Sequence, residues 1–227
     1  MEFVGVIIAL VIAVLTLCSL FIFNGQLNEM RRQTEVSERP WLSVEAKPNS
    51  GLTFVNKQQP VVAIKFSIKN VGKSIAKNIQ VDVKMFATSP EVPLSADAET
   101  NQEKICNHPQ PVTVGMFDMF PDQPTEQIMS VSASPDTVTS QTVEYKGLNF
   151  IGLYVVGCVS YYSSFGAELH QTRFAYRLMG PRPASPDGKP WPPSDWTKVL
   201  AGFQIGTDVS LEQLSMMQEL LARNSAY

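Results

Sequence analysis

Histidine and cysteine are scarce in this chain, which has two of the first and three of the second in 227 residues. A structural zinc site takes four protein ligands and a catalytic one takes three beside an open position. Cys106-Asn107-His108 offers one close Cys–His pair, too few ligands for either. Glycine is thin where nucleotide chemistry would need it dense. The stretch Gly147 to Gly157 has neither the spacing nor the following helix of a phosphate-binding loop. His170 sits two residues from Glu168 and two from Thr172, with no nucleophile elbow or oxyanion loop nearby to make a triad. Basic charge is short as well: 18 Lys and Arg against 21 Asp and Glu leave a net charge of -3, and Arg31-Arg32 is the one basic run. That supplies no field for nucleic acid. The expectation is a non-enzymatic protein with no catalytic residues, no cofactor-binding residues, no metal ligands, no cofactors and no nucleic-acid partner.

Charge is missing altogether from residues 3 to 23, FVGVIIALVIAVLTLCSLFIF. As a helix rising 1.5 Å per residue this run spans roughly 30 Å, the thickness of a bilayer core. A cleaved signal would show a basic leader, a shorter apolar stretch and small residues at the cut, whereas Phe21-Ile22-Phe23 closes this run. Residues 1–23 are therefore expected to be a transmembrane anchor. Leu15-Thr16-Leu17-Cys18 resembles a bacterial lipoprotein box only in part, because Leu17 replaces the small residue before the cysteine; Cys18 reads as a lipid-facing apolar side chain. Arg31, Arg32 and Arg39 follow the span and no Lys or Arg precedes it, so the positive-inside rule puts the following domain in the cytoplasm.

Residues 24–40 read as a helical juxtamembrane stalk. Asn24 to Ser37 are mostly good helix formers, and Leu27, Met30 and Thr34 share one side. Pro40 pushes Arg39 into extended backbone and stops the helix, so Trp41 opens the domain. The stalk is too short to specify a coiled coil.

From Trp41 onward the signal is β. In Val61 to Lys69, Ile64, Phe66 and Ile68 alternate with Lys65, Ser67 and Lys69; Ile79, Val81 and Val83 then alternate with Gln80, Asp82 and Lys84. Asn70 to Ser74 between them suits a turn, and the two are expected to pair as antiparallel neighbours. Asn149 to Tyr162 is apolar on both faces, as a strand buried at the centre of a sandwich would be. Ser163 to Gly166 turns the chain, and Glu168 to Leu178 returns with His170, Thr172, Phe174, Tyr176 and Leu178 on one face. Trp41 to Ala46, Leu52 to Val55, Glu126 to Val131 and Gln141 to Tyr145 are shorter candidates, about eight strands in all. Thr88 to Pro124 is a long crossover with one helical turn around Ala96 to Ile105, and Met116 to Phe120 reads as a core plug.

The run from Phe66 to Val81, Phe-Ser-Ile-Lys-Asn-Val-Gly-Lys-Ser-Ile-Ala-Lys-Asn-Ile-Gln-Val, resembles the strand-turn-strand signature of bacterial Ig-like domains of the cell-adhesion-related (CARDB) type. Residues 1 to 178, with the terminal helix, the stalk, the Glu-Arg-Pro-Trp opening (Glu38 to Trp41) and the closing hairpin (Gly157 to Leu178), are similar to a set of bacterial single-pass membrane proteins. The resemblance implies an Ig-like antiparallel β-sandwich over residues 41–180 and a bacterial inner-membrane address. It brings no established activity and no catalytic residues. Ig-like sandwiches mostly bind or space other molecules, an analogy from fold.

Residues 181–227 read as a Pro-rich arm and a C-terminal helix. Six prolines in 181–196 favour polyproline II geometry, with Trp191 and Trp196 as anchors along the domain. Val199 to Ile205 is a further short strand. Ser210 to Gln213 has the form of a capping box, and Leu211, Leu214, Met217 and Leu221 would line one face of an amphipathic helix from about residue 211.

These expectations describe a membrane-tethered Ig-like module, held through residues 3–23, that recruits an unknown protein partner. Two rivals differ in class. In one, the domain is exported, periplasmic or extracellular, binds a surface ligand or carbohydrate, and bridges Cys106 to Cys158; in the cytoplasm those two stay thiols. In the other, the protein is a hydrolase that gathers His170 or His108 with a carboxylate.

Overall fold

A computed structural model describes residues 2–90, 95–107, 117–145, 147–164, 166, 168–181 and 202–219, without the side chains of residues 2–14, 35–36 and 95–97. The chain divides into two units, Met1–Arg39 and Pro40–Tyr227.

The first unit is one helix, α1 (Glu2–Glu38), ending two residues before Pro40 as that proline requires. The expected anchor and stalk segments are thus one continuous helix in backbone. Among the described residues no helix is long and apolar enough to cross a membrane. The expected span over 3–23 draws much of its length from residues 3–14, whose side chains lie outside the described residues.

The second unit is mainly β and antiparallel. Its strands are β1 (Leu42–Pro48), β2 (Thr53–Val55), β3 (Gln59–Asn70), β4 (Ala76–Thr88), β5 (Phe117–Met119), β6 (Pro124–Ser132), β7 (Val143–Tyr145), β8 (Leu148–Ser163), β9 (Leu169–Met179), β10 (Phe203–Gln204) and β11 (Ser215–Gln218); its helices are α2 (Ser95–Cys106) and α3 (Pro135–Gln141). One sheet gathers β1, β2 and β6 around β3, and the other runs β11-β9-β8-β4-β5, with β7 and β10 also on β8. Both sheets contribute to one apolar cluster, Val62, Ile64, Phe66 and Ile68 from β3 meeting Leu153, Val155, Val159, Phe174 and Leu178. The Phe66 and Phe174 rings are 5.4 Å apart, the contact distance of aromatic pairs in a core.

The strand β3 carries the expected alternation, with Ile64, Phe66 and Ile68 fully buried. Its expected pairing with β4 does not occur. β3 pairs β1, β2 and β6, while β4 pairs β5 and β8 in the opposite sheet. Period-2 alternation tells which face is dry but not which strand lies alongside, and the five residues between β3 and β4 step across the roughly 10 Å that separates packed sheets. Buried Asn70 organises that step: its Nδ2 donates to the carbonyls of Ser74 (2.7 Å) and Met119 (3.2 Å), and its Oδ1 accepts from the Gly72 amide (3.0 Å).

The C-terminal amphipathic helix is also corrected. Ser210 Oγ does meet Gln213 Oε1 at 3.2 Å, but only a single 3₁₀ turn, Leu211–Gln213, follows. Residues 215–218 are β11, paired with Met179 to Tyr176 of β9. Leu214 is buried and Met216 packs against the core. The open edge of β9 supplies partners for the backbone there, and tertiary pairing overrides helical propensity. Residues 220–227, which include the end of that helix expected near 223, and 182–201, which include nearly all of the Pro-rich stretch 181–196, lie outside the described residues. The domain also extends past residue 180: β10 joins β8, β11 joins β9, and Val209 bridges Leu52. Eleven strands among the described residues stand where about eight were expected up to residue 178 and one more at Val199 to Ile205, where β10 lies. The candidate at Gln141 to Tyr145 starts later, at Val143, because Pro135–Gln141 forms α3, capped by Ser134 Oγ accepting from the Thr137 amide at 3.3 Å.

Candidate functional site

The strand β8 is apolar on both faces because both are covered. Its inner side chains, Leu153, Val155, Val159 and Tyr161, face the shared core. The other face, with Tyr154, Val156 and Cys158, lies under α2, where Ala98, Ile105 and Cys106 join the same cluster as Ala175 of β9. The expected helical turn at Ala96 to Ile105 is thus a three-turn helix forming a third layer. Side-chain amides dock it. Asn101 Nδ2 donates to the Tyr154 hydroxyl (2.7 Å), buried Gln102 Nε2 to the Phe174 carbonyl (2.9 Å), and Gln171 Nε2 to the Cys106 carbonyl (2.8 Å). Arg173 reaches Asn107 Oδ1 at 3.2 Å. None of these polar residues stood out in the sequence. The signal that points to them is the outward apolar row of β8, which needs a cover from the one helical segment of the crossover.

Cys106 and Cys158 meet under this layer. Both are buried free thiols of one cluster. The neighbouring Cys106 thiol, and then burial, push the Cys158 thiol well above its ordinary range. Asp82, opposite Cys158 in β4, is pushed up by burial, while the Gln80 hydrogen bond and Lys84 pull it down.

His170 belongs elsewhere. It is buried beside Tyr161, ring centroids 5.7 Å apart, with Nε2 unpaired among the described residues. It pairs with Tyr161 in the β8–β9 register while Cys158 pairs with Arg173. Three residues apart along β9, His170 and Arg173 project from opposite faces of the sheet, so the histidine and the cysteine pair cannot share a ligand. His108 lies outside the described residues. Among the described residues no three His, Cys, Asp or Glu side chains converge as a metal site.

On the inner face, hydroxyls of the second sheet reach β1 and the residues entering it. Tyr161 donates to the Pro40 carbonyl (3.4 Å), Thr172 to Leu42 (3.1 Å) and Tyr176 to Val44 (2.8 Å). The chain is therefore fastened from its first domain residue onward. In the Met-Phe segment, Met119 is the buried plug that was expected, but Phe120 is 52% exposed. Met116 lies outside the described residues.

The strand β6 lies at the edge of its sheet. It pairs only β3 among the described strands, and its outward row, Glu126, Ile128 and Ser130, is exposed, Ile128 at 61%. The free backbone groups of such an edge accept a further strand readily.

Neither the curated proteins nor the solved structures yield a match to this chain. One family model does match, over residues 4–178, taking in most of α1 and every strand through the core of β9. The chain belongs to that family, described as a domain of unknown function, DUF8453.

Proposed function

We propose that this protein is a non-enzymatic, membrane-tethered Ig-like module that recruits a protein partner, its domain on the cytoplasmic face of a bacterial inner membrane. The observation that carries the partner reading is the edge of β6, which pairs only β3 among the described strands, with exposed Ile128 standing between Glu126 and Ser130. An incoming extended segment would gain backbone hydrogen bonds along the edge and an apolar contact at Ile128. The tether is supported by the uncharged run over 3–23. In its described part Leu17, Leu20, Ile22 and Phe23 are exposed and Phe21 is 78% exposed. Ser19 Oγ donates to the Leu15 carbonyl at 2.9 Å, so its hydroxyl needs no water. Support for the Ig-like assignment comes from two antiparallel sheets around one core and from the crossing between sheets at Val71 to Ile75.

A photo-crosslinking amino acid placed at Ile128 in native membranes tests the partner reading. We expect a discrete adduct there and none at Glu45, an exposed control on β1. No adduct at residue 128, or equal adducts at both positions, would sink it.

The burial of Cys106 and Cys158 in one cluster favours a second reading, an exported domain that binds a surface ligand with the two cysteines bridged. Sidedness separates the two.

A further inference from the structure

We propose that Cys106 and Cys158 are a redox-closable pair, a dithiol that becomes a disulfide tying the C-terminal end of α2 to the centre of the second sheet. Cys106 is the last residue of α2 and Cys158 lies in the middle of β8; each is 1% exposed. Contacts that involve no sulfur bring them together. Ser160 and Cys158 stand opposite Gln171 and Arg173 in the β8–β9 register. Gln171 holds the Cys106 carbonyl and Arg173 holds the Asn107 side chain. The backbone that carries Cys106 is thus clamped above the strand pair that carries Cys158, and both side chains are buried in the same cluster. Closing the bond asks for rotation of both side chains into disulfide geometry.

The chemistry needs a two-electron oxidant, which a small-molecule disulfide RSSR supplies. The Cys106 thiolate attacks one sulfur of RSSR, forming Cys106–S–S–R and releasing RS⁻. Cys158 then gives its proton to that RS⁻, and its thiolate displaces the second RS⁻ from Cys106, which takes up the proton that Cys106 lost. Two protein thiols and RSSR become one protein disulfide and two RSH. Cys106 ends α2 whereas Cys158 lies in the middle of β8, so transient lifting of the last turn of α2 presents Cys106 first, leaves Cys158 as the resolving thiol and sets the rate. In the reduced form the contacts of Asn101, Gln102, Gln171 and Arg173 and its apolar face help hold α2 down. In the oxidised form Tyr154, Val156 and Ala175 stay covered whenever those contacts break.

The experiment uses the full chain in detergent carrying Cys18→Ser, which removes the exposed third thiol. It is treated with excess oxidised glutathione, once as the native protein and once during refolding from urea, so that burial cannot block the refolding arm. The expected product has lost the mass of two hydrogens and yields a cross-linked Cys106–Cys158 peptide. It melts roughly 10 °C above the reduced protein, as closing a loop of this size predicts, and dithiothreitol reverses both changes. Cys106→Ser and Cys158→Ser each abolish the product and the shift. A simple apolar pair would behave otherwise: two thiols still titratable in denaturant after both treatments, or a persistent glutathione adduct, overturns the proposal. So does a bridged protein that melts no higher than the reduced one.

Discussion

Replacing Gly157 with alanine tests how tightly the two sheets are fitted. Gly157 stands opposite Val83 in β4 and Phe174 in β9. A methyl group there would press on the Asp82 carbonyl oxygen and come within 2.6 Å of Phe174 Cζ. The carbonyl belongs to a paired strand and cannot swing aside. The ring cannot retreat easily either, because Phe174 is 1% exposed and packed between Phe66 and Tyr176 at centroid distances of 5.4 and 5.9 Å. Overpacking of this kind costs about 1–3 kcal/mol, and a clash with fixed backbone belongs at the upper end. Lower unfolded-state entropy returns only about 0.4–1 kcal/mol. The net loss is about 2 kcal/mol, a fall in Tm of roughly 4–8 °C for a domain of this size. Thermal unfolding of the full chain in detergent, followed by near-UV circular dichroism, measures it. Phe174→Leu should remove part of the clash, so the double variant should lose less than the sum of the singles. Gly157→Ala melting at or above the wild-type temperature would refute this account of the interface.

Three further outcomes are expected. Ile68→Asp places an unpaired charge at a fully buried position of β3, so we expect a loss on the order of 4 kcal/mol or more; a wild-type melting temperature would contradict the packing of β3 into the core. Tyr176→Phe removes the hydrogen bond to the Val44 carbonyl and should cost about 1 kcal/mol near neutral pH. Burial raises the Tyr176 pKa against a weaker lowering by a backbone hydrogen bond. Its contribution is therefore fully present below the ordinary tyrosine pKa of about 10 and is lost as pH rises through the higher folded value. The stability gap between wild type and Tyr176→Phe should close over that alkaline window, and a gap that widens there would contradict the assignment. Finally, a cysteine introduced at exposed Gln58 in the Cys18→Ser background should resist a membrane-impermeant maleimide in intact cells and react after permeabilisation. Labelling before permeabilisation would favour the exported reading.

Much of this domain is legible in the residues themselves wherever the cause is local. Pro40 ends α1 at Glu38 because its ring constrains the residue before it. The alternation of Ile64, Phe66 and Ile68 with lysine and serine marks a half-buried strand because side chains alternate across a pleat. The uncharged run over 3–23 and the arginines after it are likewise composition read directly. Other features depend on what lies opposite in space. The dry face of β3 is the same whether β4 is its neighbour in one sheet or its partner across the core, so alternation left that choice open. Leu211, Leu214 and Met217 suit a helix, yet the free edge of β9 offered this segment backbone partners and drew residues 215–218 into a strand. For the outward apolar row Tyr154, Val156 and Cys158, the sequence by itself determined only that a cover was needed. That the cover is α2, that amides of Asn101, Gln102 and Gln171 hold it, and that Cys106 thereby meets Cys158 while His170 faces the other way, was decided by tertiary structure. Residues 52 positions apart in sequence become neighbours only when a helix from a long crossover settles on a sheet built largely after it.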